Sequence, residues 1–134
     1  MRYLMLSETN RNSYAVNHLL HYSFDLLAQD TRSLSIRYIH NHYVENISME
    51  TLARIEHYNV SYYGQWFRKN IGVTPQQYIH QLRIDEAKRL LQETDFSISD
   101  IAHQIGYKNQ SHLTQVFKKL EGLTPNRYKK LKNI

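Results

Sequence analysis

The chain contains no cysteine, which excludes disulfides, thiolate zinc sites and a cysteine nucleophile, and suits a reducing compartment. Long apolar runs are also absent. The opening "MRYLML" gives way to the polar "SETNRNS" well before signal-peptide or membrane-span length, so a soluble, cytoplasmic protein is expected. There is no glycine-rich phosphate loop, no Gly-x-Ser-x-Gly elbow, no "HEXXH" and no paired-carboxylate constellation, so an enzyme is not expected. Only four glycines and two prolines interrupt the 134 residues. What is present is 41% apolar content, enough to bury a core in one ordinary domain or two very small ones. Seventeen Lys and Arg against twelve Asp and Glu leave a net charge of +5, which favours a polyanionic partner.

Between the few breaks, apolar residues recur at helical rather than alternating spacing, which predicts an all-α fold. Val16, Leu19, Leu20, Phe24 and Leu27 mark one amphipathic helix over Tyr14 to Leu27, and Ile36, Ile39 and Tyr43 mark a second. Ser48 can cap a short helix carrying Met49, Leu52 and Ala53, and Asn59 can cap another with Tyr63, Trp66 and Phe67 on one face. Gly72 can end that helix in a left-handed conformation. Thr74 then caps the next, with Pro75 at its first position and Gln77 completing a capping box. Its stripe of Tyr78, Ile79, Leu82, Ala87, Leu90 and Leu91 continues to about Glu93, a length of roughly 30 Å at 1.5 Å per residue. After "TDFS" come Ile98, Ile101, Ala102 and Ile105, a turn at Gly106, and Asn109 capping a helix with Leu113, Val116, Phe117 and Leu120 turned inward.

This order of elements is a repetition. "GVTPQQY" at 72–78 returns as "GLTPNRY" at 122–128, and Asn59, Ser61, Gln65, Phe67 and Lys69 return fifty positions later as Asn109, Ser111, Gln115, Phe117 and Lys119. Ahead of the turn the register slips by one, so that Leu52 and Ala53 match Ile101 and Ala102, as a difference in loop length would produce. Two short helices joined by a tight turn form a helix-turn-helix. The outward faces are Ser61, Gly64, Gln65 and Arg68 in the first copy and Ser111, Thr114, Gln115 and Lys118 in the second. Both place small polar or amide groups in the middle and a cation toward the far end, with no acid. A carboxylate there would be repelled by the phosphates lining a major groove, whereas Gln can pair with adenine through two hydrogen bonds.

From about Leu34 to Leu131 the sequence resembles the DNA-binding domain of AraC/XylS-type transcription regulators. The resemblance rests on the two helix-turn-helix units, on "RIDEAKRLL" from Arg83 to Leu91, and above all on "ISDIAHQIGYKNQSHLTQVFKKLEGLTPNRYK". It implies units at about 34–72 and 95–132, joined by a linker helix at about 75–93, with residues 1–33 a helical segment ahead of the domain. It implies base-reading positions at Ser61, Tyr62, Gly64 and Gln65 in the first unit, and at Gln110, Ser111, His112, Thr114 and Gln115 in the second. Phosphate contacts would come from Arg68, Lys69, Lys118 and Lys119. The implied partners are double-stranded DNA, RNA polymerase at the promoter, and a second copy of the chain through an N-terminal region; no cofactor is implied. Family members commonly carry a separate sensing domain ahead of this one, so the chain is either a piece of a longer regulator or a small stand-alone one. Lack of cysteine removes the alkyl-accepting chemistry of some related repair regulators.

Two positions depart from the family pattern. Near the end of the first short helix an aliphatic residue is usual, and here Glu56 stands beside Ile55, so either the packing or the register is altered. Gly64 lies mid-helix on the outward face, at a cost of about 1 kcal/mol relative to Ala, which implies either close backbone approach to DNA or little base reading there. The competing reading is a helical protein-interaction module in which Tyr62, Tyr63 and Trp66 line a partner groove. A metal reading rests only on the pairs His18 with His21 and His40 with His42, with no third ligand at an obvious spacing.

Overall fold

The computed structural model describes residues 33–132. They form seven helices and no strand: α1 (Leu34–His42), α2 (Met49–Ile55), α3 (Val60–Ile71), α4 (Pro75–Glu93), α5 (Ile98–Gln104), α6 (Gln110–Glu121) and α7 (Pro125–Lys132). The helix expected over Tyr14 to Leu27, and the pair His18 and His21, lie outside the described residues.

Local chemistry sets the boundaries. The side chains of Ser48, Asn59, Thr74 and Asn109 each accept a backbone N–H three residues on, satisfying amides that have no partner inside the helix. Gln77 returns its side-chain oxygen to the Thr74 N–H at 2.9 Å, closing the capping box. Gly72 and Gly122 end α3 and α6 at φ +100° and +83°, with their N–H groups on the carbonyls of Arg68 and Lys118.

Two apolar cores result, and α4 belongs to both. Tyr78, Ile79 and Leu82 from its first half join Ile36, Ile39, Leu52, Ala53, Tyr63 and Phe67. Ile84, Ala87, Leu90 and Leu91 from its second half join Ile98, Ile101, Ala102, Ile105, Tyr107, Leu113 and Phe117. The architecture is therefore two helix-turn-helix units on one 19-residue linker helix. Because each half of α4 is buried in a different unit, the linker is part of both folds rather than a tether between them.

The slip in the repeat is one extra residue. Ser48 and Ser97, Leu52 and Ile101, and Tyr58 and Tyr107 occupy matching places, while from Asn59 and Asn109 onward the offset is one greater. Lys108 is the insertion. The backbone turn is otherwise the same, with Tyr58 N–H donating to Ala53 O and Tyr107 N–H to Ala102 O, both at 2.9 Å.

The register at Glu56 is thus intact, and it is the packing that differs. Glu56 matches the fully buried Ile105. Its carboxylate is half-buried and accepts the Ser35 N–H at 3.0 Å at the start of α1. Ser35 also receives the hydroxyl proton of Tyr63 at 3.0 Å. Burial alone would raise the Glu56 pKa, but hydrogen bonds from the Ser35 backbone and from the Ser35 and Ser33 hydroxyls outweigh it, and the carboxyl sits below its usual value. An acid here satisfies the N-terminus of a neighbouring helix.

One inward assignment is corrected. Leu120 is 38% exposed, matching the exposed Asn70 rather than a core position.

Candidate nucleic-acid interface

The outward surfaces of α3 and α6 correspond position for position, with Ser61 and Ser111, Gln65 and Gln115, and Lys69 and Lys119 identical. In both helices the fourth and eighth residues, Tyr63 and Phe67 in one and Leu113 and Phe117 in the other, are buried. Ser61, Tyr62 and Gln65 are exposed on α3, as are Gln110, Ser111, His112 and Gln115 on α6, while Gly64 and its counterpart Thr114 are half-exposed. Arg68 and Lys69 stand exposed in the last turn of α3, and Lys118 and Lys119 in that of α6. All the residues singled out from the sequence therefore fall on two matching surfaces.

No acid lies on α3, and the only one on α6 is turned away. Glu121 is held at 2.8 Å by Lys88 of α4, with both side chains about nine-tenths buried. Burial pushes the Glu121 carboxyl up, against the pull of Lys88, and its Oε2 has no hydrogen-bond partner among the described residues. Lys88 also lies 5.4 Å from the centre of the Tyr128 ring. This ion pair ties the end of α6 to the linker and removes negative charge from the outward face.

Two of the proposed readers rest on aromatic supports. The Tyr62 ring stands edge-on to Tyr58 at 4.7 Å, and His112 edge-on to Tyr107 at 4.8 Å. Tyr58 and Tyr107 are matching turn residues, so each unit carries a planar side chain at the start of its outward helix, steadied from beneath. Of the aromatic residues of α3, Tyr63 is fully buried and Trp66 is partly buried against the same core, while Tyr62 is exposed.

Gly64 has a different character. A methyl group added there would meet no atom within 4 Å, so nothing in the folded chain requires the glycine. His40 and His42, the one histidine pair within the described residues, are engaged with Tyr78 Oη at 2.7 Å and with the Glu45 carboxylate at 3.1 Å.

Sequence reasoning missed a polar cluster where the two units meet. Arg83 donates to the carbonyls of Tyr43 at 2.6 Å and Glu45 at 2.7 Å in the first unit, and to Gly106 O at 3.3 Å in the second. Its guanidinium also lies 5.1 Å from the centre of the Tyr107 ring. His80 stacks parallel to the Tyr107 ring, centre to centre 5.7 Å, and is hydrogen-bonded through Nδ1 to Tyr107 Oη at 2.7 Å. Burial lowers the His80 pKa first, and the nearby Arg83, His112 and Lys119 lower it further. The available signal was an arginine set between Leu82 and Ile84, a cation on the buried side of the linker stripe.

Comparison with known proteins places this arrangement. A family model described as "Helix-turn-helix domain" matches residues 52–131, more than half of the chain. The chain belongs to the AraC-type helix-turn-helix family. Among curated relatives, the HTH-type transcriptional regulator YobQ of Bacillus subtilis (strain 168) is 36% identical over 129 residues, covering 96% of this chain and 54% of that one. The bifunctional transcriptional activator/DNA repair enzyme AdaA of the same organism is 34% identical over 101 residues, covering 75% of this chain and 48% of that one. The chain thus spans about half the length of these relatives. Among solved structures, the C-terminal domain of the response regulator yesN from Fusobacterium nucleatum superposes with a TM-score of 0.68 at 29% identity, covering 72% of this chain and 94% of that one. The DNA-binding domain of AdpA, solved in complex with a target DNA, gives a TM-score of 0.68 at 26% identity, covering 72% of this chain and 87% of that one. Among the described residues of this AraC-type chain, no helix is long and apolar enough to cross a membrane.

Proposed function

We propose that this chain is the sequence-specific double-stranded DNA-binding part of a cytoplasmic transcription regulator, and that α3 and α6 enter successive major-groove segments on one face of the duplex. The observation that carries the proposal is the pair of matching, acid-free surfaces on helices with the same caps and the same buried positions. A merely solvated face has no reason to keep the same polar register twice.

The roles follow from side-chain chemistry. Gln65 and Gln115 have the amide geometry for two hydrogen bonds to adenine. Ser61, Ser111 and Thr114 supply short hydroxyls, Gln110 a second amide at the start of α6, and Tyr62 and His112 planar groups able to lie against a base or its sugar. Arg68, Lys69, Lys118 and Lys119 meet phosphates, which position the helices without reading sequence. The second unit is the principal reader, because α6 presents side chains across its outward face where α3 has Gly64. Catalysis is not part of the proposal. RNA polymerase contact and dimerisation through an N-terminal region are proposed only for the whole regulator.

The test is selection of bound duplexes from a random pool, followed by titration of the selected duplex over a range of salt concentrations. Log affinity should fall steeply with log salt, by about 0.9 for each phosphate neutralised. An absence of any selected duplex would overturn the proposal in favour of a protein partner.

A further inference from the structure

We propose that Gly106, together with Arg83, forms a joint that fixes the two outward helices relative to one another, making Gly106 a specificity-determining position for the spacing of the DNA site. The inference rests on the DNA-binding reading above and adds to it the residues that set the distance between the two readers.

The repeat supplies an internal control for the glycine. Gly106 and His57 occupy the same place in their turns, and both have positive φ, +97° and +63°. The turn therefore does not demand glycine, since histidine adopts the left-handed conformation in the first unit. The difference lies in what surrounds the two positions. His57 is exposed. A Cβ on Gly106 would overlap the carbonyl oxygen of Val44 and lie 3.0 Å from Arg83 Cζ. Val44 is in the α1–α2 loop, so the turn of the second unit is pressed against the backbone of the first. Backbone cannot swing aside as a flexible side chain can.

Arg83 completes the contact. It lies on α4 between Leu82, the last linker residue of the first core, and Ile84, the first of the second. From there its guanidinium binds Tyr43 O and Glu45 O, the carbonyls flanking Val44, and Gly106 O across the interface. A planar group with five donors can hold three carbonyls at once; an ammonium on a flexible stem cannot reproduce that fork. Tyr107, over which the guanidinium sits, carries His112 against its edge. The contact thus runs from the first unit's loop, through the linker, to the first turn of α6. Two readers held rigidly gain affinity from simultaneous engagement, and that gain depends on their separation.

The test uses Gly106→Asn, because asparagine tolerates the left-handed conformation but brings a side chain into the joint. His57→Asn is the matched control, and Arg83→Lys is an independent second lesion should Gly106→Asn fail to fold. The natural lack of cysteine allows spin labels to be attached through Arg54→Cys and His103→Cys, exposed and matching positions on α2 and α5. Distances measured between them in the absence of DNA should be narrowly distributed in the parent and after His57→Asn. They should be displaced or broadened after Gly106→Asn and Arg83→Lys. Binding is read in parallel on the selected duplex and on duplexes with one segment scrambled. Gly106→Asn should lose at least about tenfold on the two-segment site, a part of the 10²–10⁴-fold that linkage can supply. It should change affinity for either single segment less than about twofold, and relax the preferred spacing. Unchanged label distances would overturn the joint whether or not the protein binds DNA. Equal losses on one-segment and two-segment sites would also overturn it, by showing a general effect on folding. Failure of the parent to select any duplex would instead remove the DNA-binding reading and with it the role in spacing, while the label distances would still report on the joint itself.

Discussion

Replacing Gly64 with Ala should make the protein more stable and a poorer DNA binder. Gly64 is the fifth of twelve residues in α3, deep enough for its backbone conformation to matter to the whole helix. Glycine there costs about 0.5–1 kcal/mol relative to Ala, through the greater freedom it loses on folding. No offsetting clash arises, because the new methyl would meet nothing within 4 Å. The full propensity gain should therefore appear, and in a structured region of about 100 residues 1 kcal/mol corresponds to roughly 4–8 °C in Tm. Thermal and urea unfolding followed by circular dichroism would measure it. The folded chain offers no reason to keep the glycine; a close approach of the α3 backbone to DNA at Gly64 would supply one, and the variant tests it. Gly64→Ala should then weaken binding to every sequence offered to the first unit. A variant no more stable than the parent would refute the account of the helix. A more stable variant with undiminished affinity would refute the close approach and leave Gly64 as a helix defect facing solvent.

Three further outcomes are expected. Glu56 has a lowered pKa in the folded chain, so its stabilising contribution is complete above the unfolded carboxylate value of 4.5 and is lost as pH falls through the folded value. Glu56→Gln should cost about 1 kcal/mol at pH 7 and flatten stability against pH in the acid range, measured by urea unfolding. Lys88→Met leaves the buried Glu121 carboxylate without its cation and should cost about 3 kcal/mol, whereas combining Lys88→Met with Glu121→Leu should recover most of that loss; a double variant as unstable as the single one would contradict this. Gln115→Ala should relax preference at one base position by roughly tenfold or more, the equivalent of about 1–3 kcal/mol for a bidentate amide contact, and Gln65→Ala should do less. Titrations against duplexes changed one base at a time read both, and equal losses would undo the ranking.

Features governed by near neighbours were legible in the sequence. Each cap at Ser48, Asn59, Thr74 and Asn109 involves an amide three residues away, so residue type and position carry the information. The burial of Leu113 and Phe117 follows from helical period alone. Leu120 continues the same period yet is exposed, since period alone does not say what covers a position. Glu56 looked like a fault in the packing of α2 because its partner, the Ser35 N–H, is 21 positions away. Arg83 was visible only as part of a linker pattern, since the carbonyls it holds in the first unit lie 38 and 40 positions back. Gly106 was readable as a turn residue, but its contact with Val44 exists only once the two units have docked.

The central claim is that one chain reads two groove segments on one face of the duplex, and helical phasing tests it most directly. The preferred duplex is compared with versions carrying about 5 and about 10 extra base pairs between its two segments, roughly half a turn and one turn of the helix. The 5-base-pair insertion turns one segment to the opposite face, and the 10-base-pair insertion moves it beyond the reach of a 19-residue linker helix, roughly 28 Å long. Both insertions should reduce binding to the level of a single segment. Undiminished affinity for either altered duplex would mean that α3 and α6 do not act together.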